Sequence, residues 1–218
     1  MTSVNAPVPN LQVQRWVQGK ESNIDRERGR VILIAVFQIN CPGCFLDGIP
    51  EAIKLSNRFK DRELVVWGLA TAFEDFEINT LENLEKLIRN REVVGETLTV
   101  LTHRNMLIDG RLPYEIPFPT AWDRLVKNDE TVREESLRRI ILRDFPNYPD
   151  MPPKYQTLIA QQVGAYLRER PYHSATFDML GLQGTPSAVL IDKTGILRYK
   201  FFGSGHDMES RINTLLKE

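Results

Sequence analysis

The feature that most constrains this chain is an uninterrupted apolar run that leads into a pair of cysteines. The run Val31-Ile-Leu-Ile-Ala-Val-Phe37 is mostly β-branched, which is typical of a strand buried on both faces. The only cysteines in the chain, Cys41 and Cys44, follow where a helical pattern begins, and Pro42 suits the first position of that helix. A thiol at a strand-to-helix junction lies beside unpaired N–H groups that stabilise a thiolate. We therefore expect Cys41 to be an exposed nucleophile and Cys44 to be a more buried resolving thiol.

Strand and helix patterns alternate along the rest of the chain. The predicted strands cover residues 11–17, 31–37, 64–70, 117–123, 187–192 and 196–202. The predicted helices cover residues 41–59, 79–91, 130–145, 152–170 and 206–217, with a kink or break at Pro50 in the first, while residues 95–117 fit neither pattern. A tight turn at Asp192-Lys-Thr-Gly195 closes a final hairpin. This order predicts an α/β fold with helices on both faces of a central sheet.

Composition limits the remaining possibilities. With 218 residues and 42% hydrophobic content, the chain can bury a core as one domain, residues 1–218, without metal or disulfide staples. A net charge of −1 gives no basic excess, so we expect no nucleic-acid partner. No apolar stretch has the length of a membrane span, and the first residues lack a signal-peptide pattern. The expected location is therefore cytoplasmic.

The cysteine pair does not fit a structural metal site. A structural zinc site needs four ligands, usually from a second cysteine pair or a close histidine pair. The histidines, His103, His173 and His206, are scattered and never occur at metal-ligand spacing. We therefore expect no metal and no cofactor, and we assign no role to any histidine.

Three separated segments resemble one superfamily in the correct order. They are the approach segment Ile24–Leu33, the motif Cys41-Pro-Gly-Cys44, and Leu182–Gly195, which holds a Gly-Thr-Pro loop before a strand. Together they resemble the TlpA-like and ResA-like thiol–disulfide oxidoreductases of the thioredoxin fold. The resemblance implies a central mixed β-sheet flanked by helices and a cis peptide bond between Thr185 and Pro186. It also assigns substrate binding to Thr185, Pro186, Pro42 and Gly43, with the backbone of Thr185 bonding an extended partner peptide.

One block of the chain has no counterpart in the minimal fold of that superfamily. Residues 127–172 contain two amphipathic helical patterns, which we interpret as a compact α-helical insertion. Because the block interrupts the chain between two segments expected at the active-site edge, its most plausible role is substrate selection.

The chain also departs from the superfamily pattern near the cysteines. Asn40 replaces the usual tryptophan, Ala35 replaces a buried acid that relays protons, and Pro50 falls one residue later than the usual helix proline. A substitute proton relay could come from Glu74 or Asp75, although solvated loop acids are the simpler interpretation of both.

Three functions remain open at this stage. The leading hypothesis is an enzyme, a thiol–disulfide oxidoreductase that exchanges disulfides with a partner protein or a small disulfide and is regenerated by an external reductant. A peroxiredoxin-like peroxidase is disfavoured, because Gln38 and Ile34 occupy the positions where that class has threonine and proline. A Cu(I)-binding or partner-binding module is third, because copper chaperones of this fold use a wider cysteine spacing. The identities of substrate and reductant, the redox potential and the oligomeric state are not predicted.

Overall fold

The computed structural model of this chain describes residues 1–128 and 134–218, which form two compact units. The first unit contains Met1–Leu125 and Ser174–Glu218, and the second contains Val126–His173. Within the described residues, the strands in chain order are β1 (Val13–Gln18), β2 (Val31–Phe37), β3 (Leu64–Ala70), β4 (Thr120–Asp123), β5 (Leu125–Lys127), β6 (Tyr172–Ser174), β7 (Ser187–Ile191) and β8 (Leu197–Phe202). The α-helices are α1 (Ile49–Arg58), α2 (Leu81–Asn90), α3 (Gly95–His103), α4 (Glu134–Asp144), α5 (Pro153–Glu169), α6 (Ala175–Leu180) and α7 (Met208–Lys217).

A mixed six-stranded sheet lies at the centre of the first unit. Its strand order is β1-β4-β3-β2-β7-β8. Strand β2 pairs in parallel with β3, and β3 pairs in parallel with β4, whereas β7 runs antiparallel to β2. The edge strands β1 and β8 are antiparallel to β4 and β7 respectively. The predicted α/β fold with a central mixed sheet flanked by helices is confirmed.

Strand β2 is apolar at every position because both faces of the sheet are covered. Leu33 and Phe37 pack into the core cluster that includes residues of α1, α2 and α7, while Ile34 and Val36 pack into a second cluster with residues of α6. Side chains alternate between the two faces of a strand, so a strand covered on both sides needs apolar residues throughout. The same argument explains β3, and both strands have the predicted bounds.

The helix after the cysteines differs from the prediction in the place where it is interrupted. Pro42 and Gly43 are helical, a π-helical segment follows at Cys44–Gly48, and α1 then continues to Arg58. The irregularity therefore precedes Pro50 instead of starting at it. A π-helical turn accommodates one additional residue. This agrees with the one-residue displacement of Pro50 from the usual position of the helix proline.

Near Pro50 and the π-helical segment, one backbone carbonyl accepts its hydrogen bond from a residue outside the helix. The Ile49 N–H donates to the carbonyl of Cys44, and Pro50 has no N–H to donate. The Phe45 carbonyl therefore receives a hydrogen bond from neither residue. The Tyr114 hydroxyl donates to this carbonyl at 2.9 Å. Tyr114 belongs to the stretch that the sequence left unassigned.

Several helix bounds and short elements differ from the sequence prediction. Helix α7 begins at Met208 instead of His206, because Asp207 caps it by accepting a hydrogen bond from the Ser210 N–H. Helix α3 forms within the unassigned stretch 95–117, and the short helix α6 was not predicted. The start of the predicted helix 130–145 lies outside the described residues, and its described part is α4.

The second unit is mainly helical. It contains α4, α5 and the 3₁₀ turn Tyr148–Asp150. The Asn128 side chain donates to the carbonyls of Leu167 and Arg170, at 2.7 and 2.8 Å, and so ties the start of this unit to its end. None of the helices among the described residues combines the length and apolar content that a membrane crossing requires.

Candidate active site

The two cysteines form a disulfide at the junction between β2 and the helix that follows. Their Cα atoms are 5.4 Å apart. Cys44 is 0% exposed, whereas Cys41 is partly exposed. The Cys44 N–H points to the Cys41 sulfur at 3.2 Å, so a backbone donor of the first helical turn lies beside the outer sulfur. Such a donor, with the helix dipole, favours a thiolate at that position when the bond is reduced.

Asn40 ties the segment before Cys41 to the loop after β3 and to the start of α3. Its backbone N–H donates to the Asn79 side chain at 2.8 Å, and its side-chain amide donates to Asp75 at 2.7 Å. Its side-chain oxygen accepts the Glu96 N–H at 2.7 Å, at the first turn of α3. The residue before α3 has no side-chain hydrogen bond that caps the helix, and Asn40 supplies this cap instead. The sequence marked Asn40 only as a departure, because its partners are distant in the chain.

Gln38, the residue directly after β2, also links two segments of the chain through its side chain. It is 1% exposed, and its side-chain oxygen accepts the Phe73 N–H at 2.9 Å. Its amide nitrogen lies 3.4 Å from an oxygen of Glu74. Gln38 therefore connects the end of β2 to the loop after β3. Glu74 and Asp75, the relay candidates, are both exposed in that loop.

The proline loop lies beside the cysteine helix. The bond between Thr185 and Pro186 is cis, as the resemblance predicted. A methyl group added at Gly43 would lie 3.6 Å from Pro186, and one added at Gly48 only 2.7 Å from it. The Gly203 N–H donates to the Pro186 carbonyl at 2.9 Å and so holds the loop from the side of β8. Gly48, which the sequence analysis did not single out, therefore controls how closely this loop approaches.

A small cavity of about 20 Å³ lies beside the buried Cys44. Its lining includes Cys44, Gly48, Pro186, Ala35 and Glu51. The sequence analysis missed Glu51, because the π-helical segment changes which face of the helix each later residue occupies and no sequence pattern revealed that segment.

The environment of Glu51 disfavours its charged form. Burial raises the pKa of the Glu51 carboxyl, and the nearby Asp47 charge acts in the same direction. The charges of Lys54 and His206 oppose this effect. Elsewhere in the described residues, no three His, Cys, Asp or Glu side chains gather in the arrangement that a metal ion needs.

The comparisons with known proteins agree with this geometry. A thioredoxin-like superfamily protein of known crystal structure is 26% identical, with a TM-score of 0.58 and 97% of each chain covered. A thiol-disulfide isomerase from Corynebacterium glutamicum is 24% identical, with a TM-score of 0.60 and 98% of each chain covered. A thioredoxin-like protein in its oxidised form is 16% identical, with a TM-score of 0.51 and coverage of 97% of this chain and 95% of that one. No family model and no curated protein matches the sequence.

Proposed function

This chain has a thioredoxin-like fold, and from that premise we propose that it is a thiol–disulfide oxidoreductase. The observation that carries the proposal is the difference between the two sulfurs of one disulfide at the end of β2. Cys41 is partly exposed and receives the Cys44 N–H, whereas Cys44 is fully buried. This asymmetry favours attack by Cys41 and release by Cys44.

The proposed exchange has two steps. The Cys41 thiolate attacks one sulfur of the substrate disulfide, a Cys41–substrate bond forms, and the other substrate sulfur leaves with the electron pair and takes up a proton. Cys44 then loses its proton and attacks the Cys41 sulfur. The Cys41–Cys44 bond forms as the Cys41–substrate bond breaks, and the second substrate sulfur leaves as a thiolate. The substrate gains two electrons and the protein dithiol loses two, so an external reductant must restore the dithiol.

We propose that Thr185, Pro186, Pro42 and Gly43 form the substrate-binding surface beside Cys41. Support comes from the close approach of Pro186 to Gly43 and from the hydrogen bond that holds the Pro186 loop. In this role the Thr185 backbone pairs with an extended segment of the partner, as an added strand would. Backbone pairing accepts many sequences, so further selection must come from another surface.

We further propose that residues 127–172, as a helical insertion in a single domain 1–218, select the protein partner. The support lies on helix α5, where Tyr155, Leu158 and Tyr166 are 58%, 49% and 53% exposed. Aromatic and aliphatic side chains grouped on a surface are typical of protein-binding sites. The partner would be a disulfide-containing protein. In the cytoplasm, where we expect this chain to act, exchange would run towards reduction of the partner.

Trapping the covalent intermediate tests the proposed function. In the Cys44→Ser variant, the second step cannot occur, so Cys41 should remain joined to its partner through a disulfide that survives non-reducing electrophoresis. The matched control is Cys41→Ser, which should trap nothing, because the remaining thiol is buried. Equal trapping by both variants, or none by either with protein and small disulfides, would contradict the proposal.

A further inference from the structure

The buried position of Cys44 creates a requirement that the cysteines alone do not meet. Cys44 is 0% exposed, yet the resolving step of the proposed function needs its thiol to lose a proton. Solvent cannot take this proton directly from a buried sulfur. A group that reaches both the sulfur and solvent is therefore needed, directly or through one water.

Glu51 lies at the position that this requirement describes. It borders the cavity of about 20 Å³ that Cys44 also lines. It also borders an open groove on the outer side, lined by residues of α1 and α7 and by His206 between β8 and α7. Cys44 lines only the inner cavity of these two, so Glu51 connects the surroundings of the buried sulfur with solvent.

The cavity has room for the connecting group. A volume of about 20 Å³ fits one water molecule, which needs roughly 10–15 Å³. Ala35 contributes only a methyl group to the wall where the resemblance places a buried acid. The side chain missing at Ala35 leaves Glu51 as the carboxyl group on the cavity lining.

We propose that Glu51 accepts the Cys44 proton through one water molecule held in this cavity, and that it replaces the acid absent at Ala35. This inference rests on the proposed thiol–disulfide exchange. In the resolving step, the Cys44 proton passes to the water, and a proton of that water passes to the Glu51 carboxylate. The Cys44 sulfur bonds to Cys41 as the substrate thiolate leaves. Glu51 later returns the proton to solvent through the outer groove.

The charges around Glu51 suit a group that changes its protonation state. From its own helix, Asp47 disfavours the carboxylate and Lys54 favours it, and His206 favours it from the segment before α7. Across the groove, α7 and its cap add Asp207, Glu209 and Lys217. Burial raises the pKa of Glu51 above its ordinary value, which strengthens it as a base once it is ionised.

The test follows the two steps separately with 4,4′-dithiodipyridine, a small neutral disulfide. One equivalent mixed with the reduced protein should release thiopyridone in two phases, the first from attack by Cys41 and the second from resolution by Cys44. Glu51→Gln should leave the first phase unchanged and slow the second by about 10²-fold near neutral pH. In the wild type, the rate of the second phase should decrease as the pH falls and Glu51 becomes protonated. In Glu51→Gln, the rate of the second phase should instead rise about tenfold per pH unit. This is the dependence expected when only the Cys44 thiolate reacts.

A matched control separates this role from a general effect of charge. Glu209 borders the outer groove but not the cavity, so Glu209→Gln should leave both phases and their pH profiles unchanged. If the second phase of Glu51→Gln has the same rate as that of the wild type at every pH, the inference is wrong and the proposed function still stands. Equal slowing in both variants would also overturn it. Absence of a first phase in the wild-type protein would overturn the proposed function and the inference together.

Discussion

At the scale of single residues, Gly48 determines how closely the proline loop approaches the cysteine helix. A side chain at this position would place its first carbon 2.7 Å from the Pro186 Cβ, which is closer than carbon atoms pack. Helix propensity alone would favour alanine over glycine at this position. The contact with Pro186 therefore opposes the local preference of the chain.

We predict that Gly48→Ala destabilises the protein. Overpacking against Pro186 should lower the free energy of unfolding by about 1–3 kcal/mol, although the same substitution in a free helix is stabilising. Gly43→Ala is the matched control, because its added methyl group would lie 3.6 Å from Pro186, an ordinary contact. Urea unfolding of both variants measures the difference. If Gly48→Ala is as stable as the wild type, the packing argument is wrong.

The two thiols of the reduced protein should also react at different rates. Cys41 is partly exposed and faces the Cys44 N–H, while Cys44 is fully buried. A limiting amount of iodoacetamide should therefore modify Cys41 first, with a pH dependence that reports a pKa below that of a free thiol. Mass spectrometry of the digested protein identifies the labelled residue. Preferential labelling of Cys44 would reverse the proposed roles.

At the scale of elements, the π-helical segment is held by a partner from outside the helix. The Tyr114 hydroxyl donates to the Phe45 carbonyl, which receives no hydrogen bond from Ile49 or Pro50. Burial raises the pKa of Tyr114, so the hydroxyl remains protonated and able to donate at physiological pH. The irregular helix thus depends on a residue almost seventy positions away in the chain.

We predict that Tyr114→Phe weakens the fold by removing this donor. An unpaired buried carbonyl costs about 1–3 kcal/mol, and the loss should appear as a lower urea midpoint with an unchanged denaturant slope. Tyr155→Phe is the control, because that tyrosine is 58% exposed and its hydroxyl can bond water. Equal stability of the two variants would show that the Tyr114 hydroxyl does not support the segment.

The turn between β7 and β8 depends on one carboxylate. Asp192 accepts hydrogen bonds from the N–H groups of Thr194 and Ile196, at 2.9 and 3.0 Å, and pairs with Arg198 at 3.0 Å. Burial acts to raise the pKa of Asp192, but the hydrogen bonds from Ile196, Thr194 and Arg198 together hold it below its ordinary value.

The stability that Asp192 contributes should therefore depend on pH. Because the folded state lowers its pKa, the contribution is complete above the unfolded pKa of about 3.9 and is lost as the pH falls through the folded value. Asp192→Asn should lower the free energy of unfolding at pH 7 by about 1–3 kcal/mol. The difference in the free energy of unfolding between the wild type and this variant should become smaller as the pH falls below about 4. A difference that stays constant down to acid unfolding would contradict this account.

At the scale of the whole molecule, the sheet unit itself joins the chain segments on either side of the second unit. Asp123, at the end of β4, accepts the N–H groups of Thr176 and Phe177 at 2.9 and 3.0 Å. The Thr71 hydroxyl donates to the same carboxylate at 3.0 Å. The connection across residues 126–173 therefore does not depend on that segment alone.

We predict that the first unit folds when residues 126–173 are replaced by a short Gly/Ser loop. Reduction of a small disulfide should survive, because the cysteines and the Pro186 loop belong to the first unit. Reduction of a trapped protein partner should fall, because the exposed face of α5 is removed. Parallel assays with the small disulfide and the protein partner measure the ratio of the two reduction rates. If the shortened protein folds and both activities are unchanged, the proposed selection role is wrong.

Local patterns in the sequence were sufficient for the central strands of the fold. Strands β2 and β3 have the predicted bounds, because burial on both faces requires continuous apolar runs that are visible without knowing the partners. The cysteine pair and the Thr185–Pro186 loop were recognisable because a few adjacent residues define each. Bounds were less accurate where caps or turns decide them, as at α7.

The features near the cysteines that the sequence did not reveal depend on contacts between distant residues. Asn40 bonds to Asn79 and Glu96, and Tyr114 bonds to Phe45, so neither role follows from neighbours in the chain. Glu51 reaches the cavity beside Cys44 because a π-helical segment changes the helix face and because Ala35 leaves space. Sequence patterns record what each segment buries, but the partners that it meets are determined only when the segments pack together.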